Sequence, residues 1–182
     1  VALRSRCEAT VTKPGVLTLP AKKLYEIVRA LPETEVRISQ DKSGVRVAAD
    51  RFTSRIQALP KEDFPVLPEP TGTTKIALSS AGLREMVSKT QFAITGEDTR
   101  YFLNGALFVL RGDSMSLVAT DGHRLALITV ERKTQDGSFK NGEEIKAILP
   151  KKTLLELGKL LGDGEEDIYY ERGENHLFFG VG

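Results

Sequence analysis

The sequence predicts an α+β protein built from repeated units, each a helix followed by short antiparallel strands. Three amphipathic helices are spaced along the chain, with runs of alternating residues between them. Turn residues separate those runs at intervals short enough for hairpins. One helix also recurs. LPAKKLYEIVRALPE (19–33) aligns without gaps on LPKKTLLELGKLLGD (149–163), with six of 15 positions identical. These are Leu19/Leu149, Pro20/Pro150, Lys22/Lys152, Leu24/Leu154, Glu26/Glu156 and Leu31/Leu161. Two ordinary helices rich in Leu, Lys and Glu would also look alike, but the shared Leu-Pro start favours a repeat.

The chain opens on Val1, Leu3, Cys7 and Ala9 alternating with Arg4, Arg6 and Glu8, which predicts a strand. A helix follows over 20–31, with Pro20 at its first position, where a missing N–H costs nothing. Leu24, Ile27, Val28 and Leu31 form its apolar stripe, and Pro32 stops it. Val36 and Ile38, Val45 and Val47, and Phe52 to Ala58 mark a meander, with Lys42-Ser43-Gly44 as one turn. Residues 66–74 (VLPEPTGTT) carry no periodic pattern and read as an interdomain linker. Ser79 or Ser80 caps a second helix reaching about Phe92, with Leu83, Met86 and Val87 as its stripe. Strands are expected at 101–110, 114–119 and 124–130, with Arg111-Gly112-Asp113 and Asp121-Gly122 as turns. Residues 133–144 are polar and read as an exposed loop. A third helix spans Pro150 to Leu161, and strands follow near 167–171 and 176–181. In the first copy of the repeat, the second strand continues into RFTSRIQALPKEDFPVL. In the second copy, the comparable strand stops at Val181-Gly182. The chain is therefore expected to be cut inside structural units at both ends.

The chain has 182 residues, with 26 basic and 25 acidic side chains, for a net charge of +1. Hydrophobic content of 40% and charged content of 28% argue against disorder. A near-neutral sum argues against a protein that coats itself in phosphate, though it leaves room for a local basic face. A single cysteine, Cys7, excludes an intramolecular disulfide or a multi-cysteine zinc site. Two histidines, His123 and His176, exclude a histidine-rich metal centre. No cofactor and no metal is implied. No apolar run approaches the ~20 residues that span a bilayer.

Catalytic constellations are few. Phosphate-loop, dinucleotide and zinc-protease motifs are absent. Asp121 and His123 could pair as orienter and base of a small hydrolase, which leaves an enzyme as the alternative function. The acids Glu97-Asp98 and Glu165-Glu166-Asp167 sit beside glycines and read as solvated turns. VATDGHRLALITV (118–130) stands out more. Leu125, Leu127 and Thr129 fall on one face of a strand, and Ala126, Ile128 and Val130 on the other. Either the strand is buried on both faces, or one face is core and part of the other binds a partner.

ATDGHRLAL (119–127), RYFLNG (100–105), LPKEDFP (59–65) and the Leu-Pro-Ala-Lys-Lys helix start (19–23) occur in this order. Together they resemble the bacterial DNA polymerase III beta subunits, the sliding clamps, over essentially the whole chain. The resemblance implies a DNA-clamp fold, with helices on one face of curved antiparallel sheets. It makes residues 1–68 the second half of domain one, 69–74 a linker, and 75–182 domain two without its last strand. A subunit of this family has three such domains, and two subunits close head to tail into a homodimeric ring around duplex DNA. A clamp is a non-catalytic processivity factor that slides on double-stranded DNA without reading sequence.

The helices agree with that implication. Helix 20–31 carries +2 (Lys22, Lys23, Arg29, Glu26), helix 79–92 +1 (Arg84, Lys89, Glu85) and helix 150–161 +2 (Lys151, Lys152, Lys159, Glu156). Against a total of +1, the remainder is net −4. A weakly basic inner wall holds DNA without gripping it, although charged helix faces are also simply solvated. The resemblance further implies a pocket where the replicative polymerase, the clamp loader and repair proteins insert short peptides. Its matching positions are Leu103, Thr120, Gly122, His123, Arg124 and Leu125, with Arg100 and Phe102 beside them. Phe102 stands where the family often has Tyr, so a hydroxyl contact is missing. The resemblance places the dimer contact on Lys23, Ile27, Leu31 and Ile56, of which Ile27 and Leu31 serve equally well as core residues. It implies a cytoplasmic protein with no membrane partner.

Overall fold

The computed structural model describes residues 1–41, 44–70, 74–96, 98–132, 139, 143–161 and 167–181. Glu97, Glu165, Glu166 and the Lys42-Ser43 turn lie outside them, as do Gly182 and parts of the expected linker and 133–144 loop. Two compact units result, one of Ala2–Leu67 and one of Pro68–Gly182 with Val1.

In the first unit, Pro20 is the N-cap of α1 (Ala21–Ala30), one residue earlier than its expected place inside the helix. Leu31 ends the helix in extended backbone, donating its N–H to the Val28 carbonyl at 3.2 Å. β1 (Arg37–Asp41), β2 (Gly44–Ala49) and β3 (Phe52–Ile56) follow as an antiparallel sheet in sequence order. The two-residue period of β2 buries Val45, Val47 and Ala49 and leaves Arg46 in solvent. Ile27, Val47 and Ile56 make the core, with Leu19, Leu24, Leu31 and Val36 packed against it.

Two expectations are corrected in this unit. Residues 1–17 form no strand, and Val1, Leu3, Val11 and Val16 are exposed. Alternation prepares a strand, but only a neighbour's hydrogen bonds make one, and no described strand pairs with this segment. Ile27 and Ile56, expected at a dimer contact, are only 8% and 3% exposed. Their apolar surface is already covered by the core. Leu31 is half-buried, and Lys23 alone of the four is exposed.

The second unit begins with β4 (Ile76–Ser79) and α2 (Ser80–Thr90). Ser79 caps α2, its Oγ accepting the Gly82 N–H at 3.1 Å. Gly82 lets the helix settle onto the sheet, since a Cβ there would meet Met115 Cε at 2.7 Å. β5 (Gly105–Arg111), β6 (Ser114–Thr120), β7 (Leu125–Glu131) and β8 (Glu144–Pro150) form a four-stranded sheet in the order β7-β6-β5-β8. After α3 (Lys151–Leu160), β9 (Asp167–Arg172) and β10 (Leu177–Val181) join β4 in a second sheet, ordered β10-β9-β4. All pairings are antiparallel. Leu83, Met86, Phe108, Leu110, Met115, Leu117, Leu149, Leu154, Ile168 and Tyr170 fill one core between helices and sheets. Burial pushes the Tyr170 phenol above its ordinary pKa.

Here too the sequence reading needs correction. Tyr101–Asn104 is a 3₁₀ turn, so the strand expected from 101 starts at Gly105. β4 and β8 were not expected at all. The buried guanidinium of Arg132 was also missed. Its Nη1 donates to the Arg111 and Gly112 carbonyls at 2.9 and 3.2 Å, and its Nη2 to the Ala77 carbonyl at 3.2 Å.

Candidate functional site

Thr120 and Leu125 face each other across the β6–β7 pair, which leaves Asp121–Arg124 as the connecting turn. Gly122 sits at φ +89°, a conformation that favours glycine. Thr120 Oγ1 donates to the Arg124 carbonyl at 2.7 Å and accepts the Gly122 N–H at 3.1 Å. Asp121 Oδ1 accepts the backbone N–H groups of His123 and Arg124, both at 3.0 Å, and Oδ2 accepts Arg124 Nε at 2.8 Å. These bonds, the His123 N–H foremost, hold the Asp121 carboxyl at about 2. Arg124 also donates through Nη2 to the Phe92 carbonyl at 2.8 Å, and its guanidinium lies 5.5 Å from the centre of the Phe92 ring.

A second loop meets this turn. Asp98 takes Arg100 in a two-pronged ion pair, Nε to Oδ1 at 3.0 Å and Nη2 to Oδ2 at 2.8 Å. The Arg100 hydrogen bond is the main cause that lowers the Asp98 pKa to about 2, and the same pair raises that of Arg100. Asn104 clips the loop to itself by accepting the Asp98 N–H at 2.9 Å and donating to the Asp98 carbonyl at 3.0 Å. A Cβ on Gly122 would stand 3.5 Å from both Arg100 Nη atoms. Two loops about 20 residues apart thus close on one glycine.

Beside this rim, Ser88, Lys89, Phe92 and the strand Leu125–Ile128 line an open groove of about 700 Å³. Leu125 and Leu127, on the edge strand of the sheet, are 65% and 63% exposed, and Phe92 is 55% exposed, so three large apolar side chains meet solvent together. Of the two readings left open for this strand, one face in the core and the other in solvent is what the fold gives. Ala126 is buried and Ile128 and Val130 pack against the core. The structure brings Arg100, Thr120, Gly122, His123, Arg124 and Leu125 together. Phe102 is half-exposed against Tyr101. Leu103, expected to offer apolar contact, is only 7% exposed and anchors the 3₁₀ turn, its carbonyl accepting Thr95 Oγ1 at 2.9 Å. Sequence reasoning missed Phe92 and Asp98, which reach the rim only through the fold.

The hydrolase alternative finds no geometry. Asp121 holds the backbone of His123 and the side chain of Arg124, so its carboxylate is not the orienter of an imidazole base. Among the described residues, no three of His, Cys, Asp or Glu gather to hold a metal.

The basic helix residues divide. Lys22, Lys23, Arg29 and Lys152 are exposed, Arg29 near the Tyr25 ring. Lys89 pairs with Glu85 at 2.6 Å and Lys159 with Glu156 at 3.0 Å. Arg84 is half-buried. Lys151 departs from the expectation of a DNA-facing side chain. Its Nζ donates to the Ile94 carbonyl at 3.1 Å, because α3 packs against the 3₁₀ turn Gln91–Ala93 that follows α2.

Helices followed by short antiparallel strands, in each of the two units, are the architecture of the DNA-clamp fold. Residues 77–182 match the model of the DNA polymerase III beta subunit central domain, and residues 1–68 that of its N-terminal domain. The chain belongs to the DNA polymerase III beta subunit family. The beta sliding clamp of Pseudomonas aeruginosa is 33% identical over 168 residues, covering 91% of this chain and 44% of that protein. A crystal structure of the P. aeruginosa subunit superposes with a TM-score of 0.84 at 31% identity, covering 94% of this chain and 46% of that one. The Bartonella birtlesii clamp, bound to griselimycin, gives 0.80 at 38%, covering 95% and 46%. The chain thus spans about half the length of the relatives it matches. Among the described residues, no helix is long and apolar enough to cross a membrane.

Proposed function

We propose that this chain is part of a sliding clamp, a non-catalytic ring that encircles duplex DNA and tethers the replicative polymerase. Residues 1–68 act as part of its first domain, 69–74 as a linker and 75–182 as most of its second. It works in the cytoplasm as a head-to-tail homodimer. Lys22, Lys23, Arg29, Lys89, Lys152 and Lys159 give the inner wall its mild positive charge. Contact with phosphates stays weak and mobile because Lys89 and Lys159 already have carboxylate partners.

Polymerase, clamp loader and repair proteins dock by a short peptide in the groove beside Gly122. The observation that carries this reading is the exposed pair Leu125 and Leu127 beside the Arg100–Gly122–Arg124 rim, in a chain of this family. Apolar anchors enter next to the leucines and Phe92, and the arginines supply hydrogen bonds at the edge. Griselimycin, held by the B. birtlesii clamp, is the probe. Replacing Leu125 and Leu127 together with Ala in the full-length gene product is expected to weaken its binding about 100-fold. Unchanged affinity by calorimetry would remove the groove assignment. Reversing the charge of Lys22, Lys152 and Lys159 is expected to shorten retention on circular duplex DNA, most at low salt. Equal retention would defeat the inner-wall assignment.

A further inference from the structure

This inference rests on the peptide-groove reading and concerns a residue beside the groove. Both carboxylate oxygens of Asp98 are engaged by Arg100, through its backbone N–H at 2.8 Å, its Nε and its Nη2. The main chain of Asp98 serves a separate purpose, closing the loop on Asn104. The side chain therefore aims an arginine, while the backbone holds the loop. That arginine is aimed at Gly122, both Nη atoms lying 3.5 Å from where a Cβ would stand. A guanidinium carries five N–H groups. Two are committed to Asp98, and three remain.

We propose that Asp98 is a positioning residue for partner-peptide binding. It fixes the Arg100 guanidinium over Gly122, so that the remaining N–H groups meet main-chain carbonyls of an extended, apolar peptide. A long cation left free would lose rotamer freedom on capturing a ligand, and the clamped one has already lost it. The ion pair is also neutral overall, and Asp121 neutralises Arg124 in the same way. The rim thus selects carbonyl acceptors and gives an acidic peptide little advantage.

The test is a double-mutant cycle in the full-length gene product, with griselimycin affinity read by calorimetry. Asp98→Asn keeps the acceptor for the Arg100 N–H and both Asn104 contacts, so the loop is retained while the ion pair is lost. It is expected to weaken binding about ten-fold. Arg100→Ala is expected to weaken it at least as much, and the double variant no further than Arg100→Ala alone. Arg100→Lys, which keeps the charge but loses the fork, is expected to resemble Arg100→Ala. Thermal unfolding of each variant separates loss of fold from loss of binding. Wild-type affinity in Asp98→Asn, or losses that multiply in the double variant, would overturn the proposal. If Asp98→Asn does not fold, wild-type affinity in Arg100→Lys overturns it instead. Failure of the unsubstituted protein to bind griselimycin would overturn the groove reading, and this one with it.

Discussion

α1 and α3 carry the same sequence signature and live in different surroundings. Each has ten residues, a proline N-cap and a leucine C-cap exactly 130 positions apart. Yet α1 buries only Ile27 and leaves Tyr25 and Val28 exposed. α3 buries Leu154 and Leu157, packs beside α2 and ties Lys151 to the Ile94 carbonyl. The strand after each helix follows suit. All five residues of β1 are exposed on a sheet edge, whereas β9 lies between β10 and β4 and buries Ile168 and Tyr170. A helix pattern sets which face is apolar, but the neighbours decide how much of it leaves water.

Four measurements break or sharpen this comparison. Leu154→Ala should cost about 3 kcal/mol in denaturant unfolding, because it opens a cavity at a fully buried site. Its counterpart Leu24→Ala, at a half-buried site, should cost about 1 kcal/mol. Equal costs would erase the distinction between the copies. Lys151→Met should cost about 1 kcal/mol through the bond to Ile94, while Ala21→Lys, at the matching position of α1, gains nothing comparable. Gly158→Ala should stabilise the second unit by about 0.5 kcal/mol, read as a raised melting temperature. A methyl there lies 3.7 Å from Val87 Cγ1, an ordinary contact, and alanine is the better helix former. A lowered melting temperature would show α2 and α3 to be closer-packed than described.

The smallest effect concerns the rim, which only the second unit carries. Asp98 and Asp121 fall from an ordinary 3.8 to about 2 in the folded chain. Their ion pairs therefore contribute fully above about pH 4 and are lost as pH falls towards 2. Carboxyl-carbon NMR should show midpoints near 2 and no change between pH 5 and 8. Midpoints near 4 would mean that these carboxylates do not hold the hydrogen bonds described for them.

Much of this architecture is legible in the sequence. The three helices sit within two residues of their expected ends, because a 3.6-residue stripe with proline or serine at its start is a strong local signal. The hairpins β5–β6 and β6–β7 follow from glycine turns between apolar runs. β4 was missed because four residues are too few to show a period, and β8 because it emerges from a polar stretch. The 119–127 motif located the groove strand and its turn. Asp98 escaped because its partner and its target belong to different loops. Glu97-Asp98 reads as solvated acid, whereas the Asp98 side chain is only 19% exposed. Phe92 escaped because a helix end meets a hairpin turn only after folding.

The hairpin at Arg111-Gly112-Asp113 looks like a convenient place to insert a tag or a fluorescent label, being short, polar and between two strands. Arg132 makes it a poor place to edit. Its guanidinium takes two carbonyls of that turn and one from Ala77, and its backbone N–H takes the Asp113 carbonyl at 2.8 Å. An insertion would strip hydrogen bonds from a buried cation that also holds the Ala77 carbonyl of β4, 34 residues upstream. Labels are better carried on the exposed residues before Thr18, where no described strand depends on the backbone.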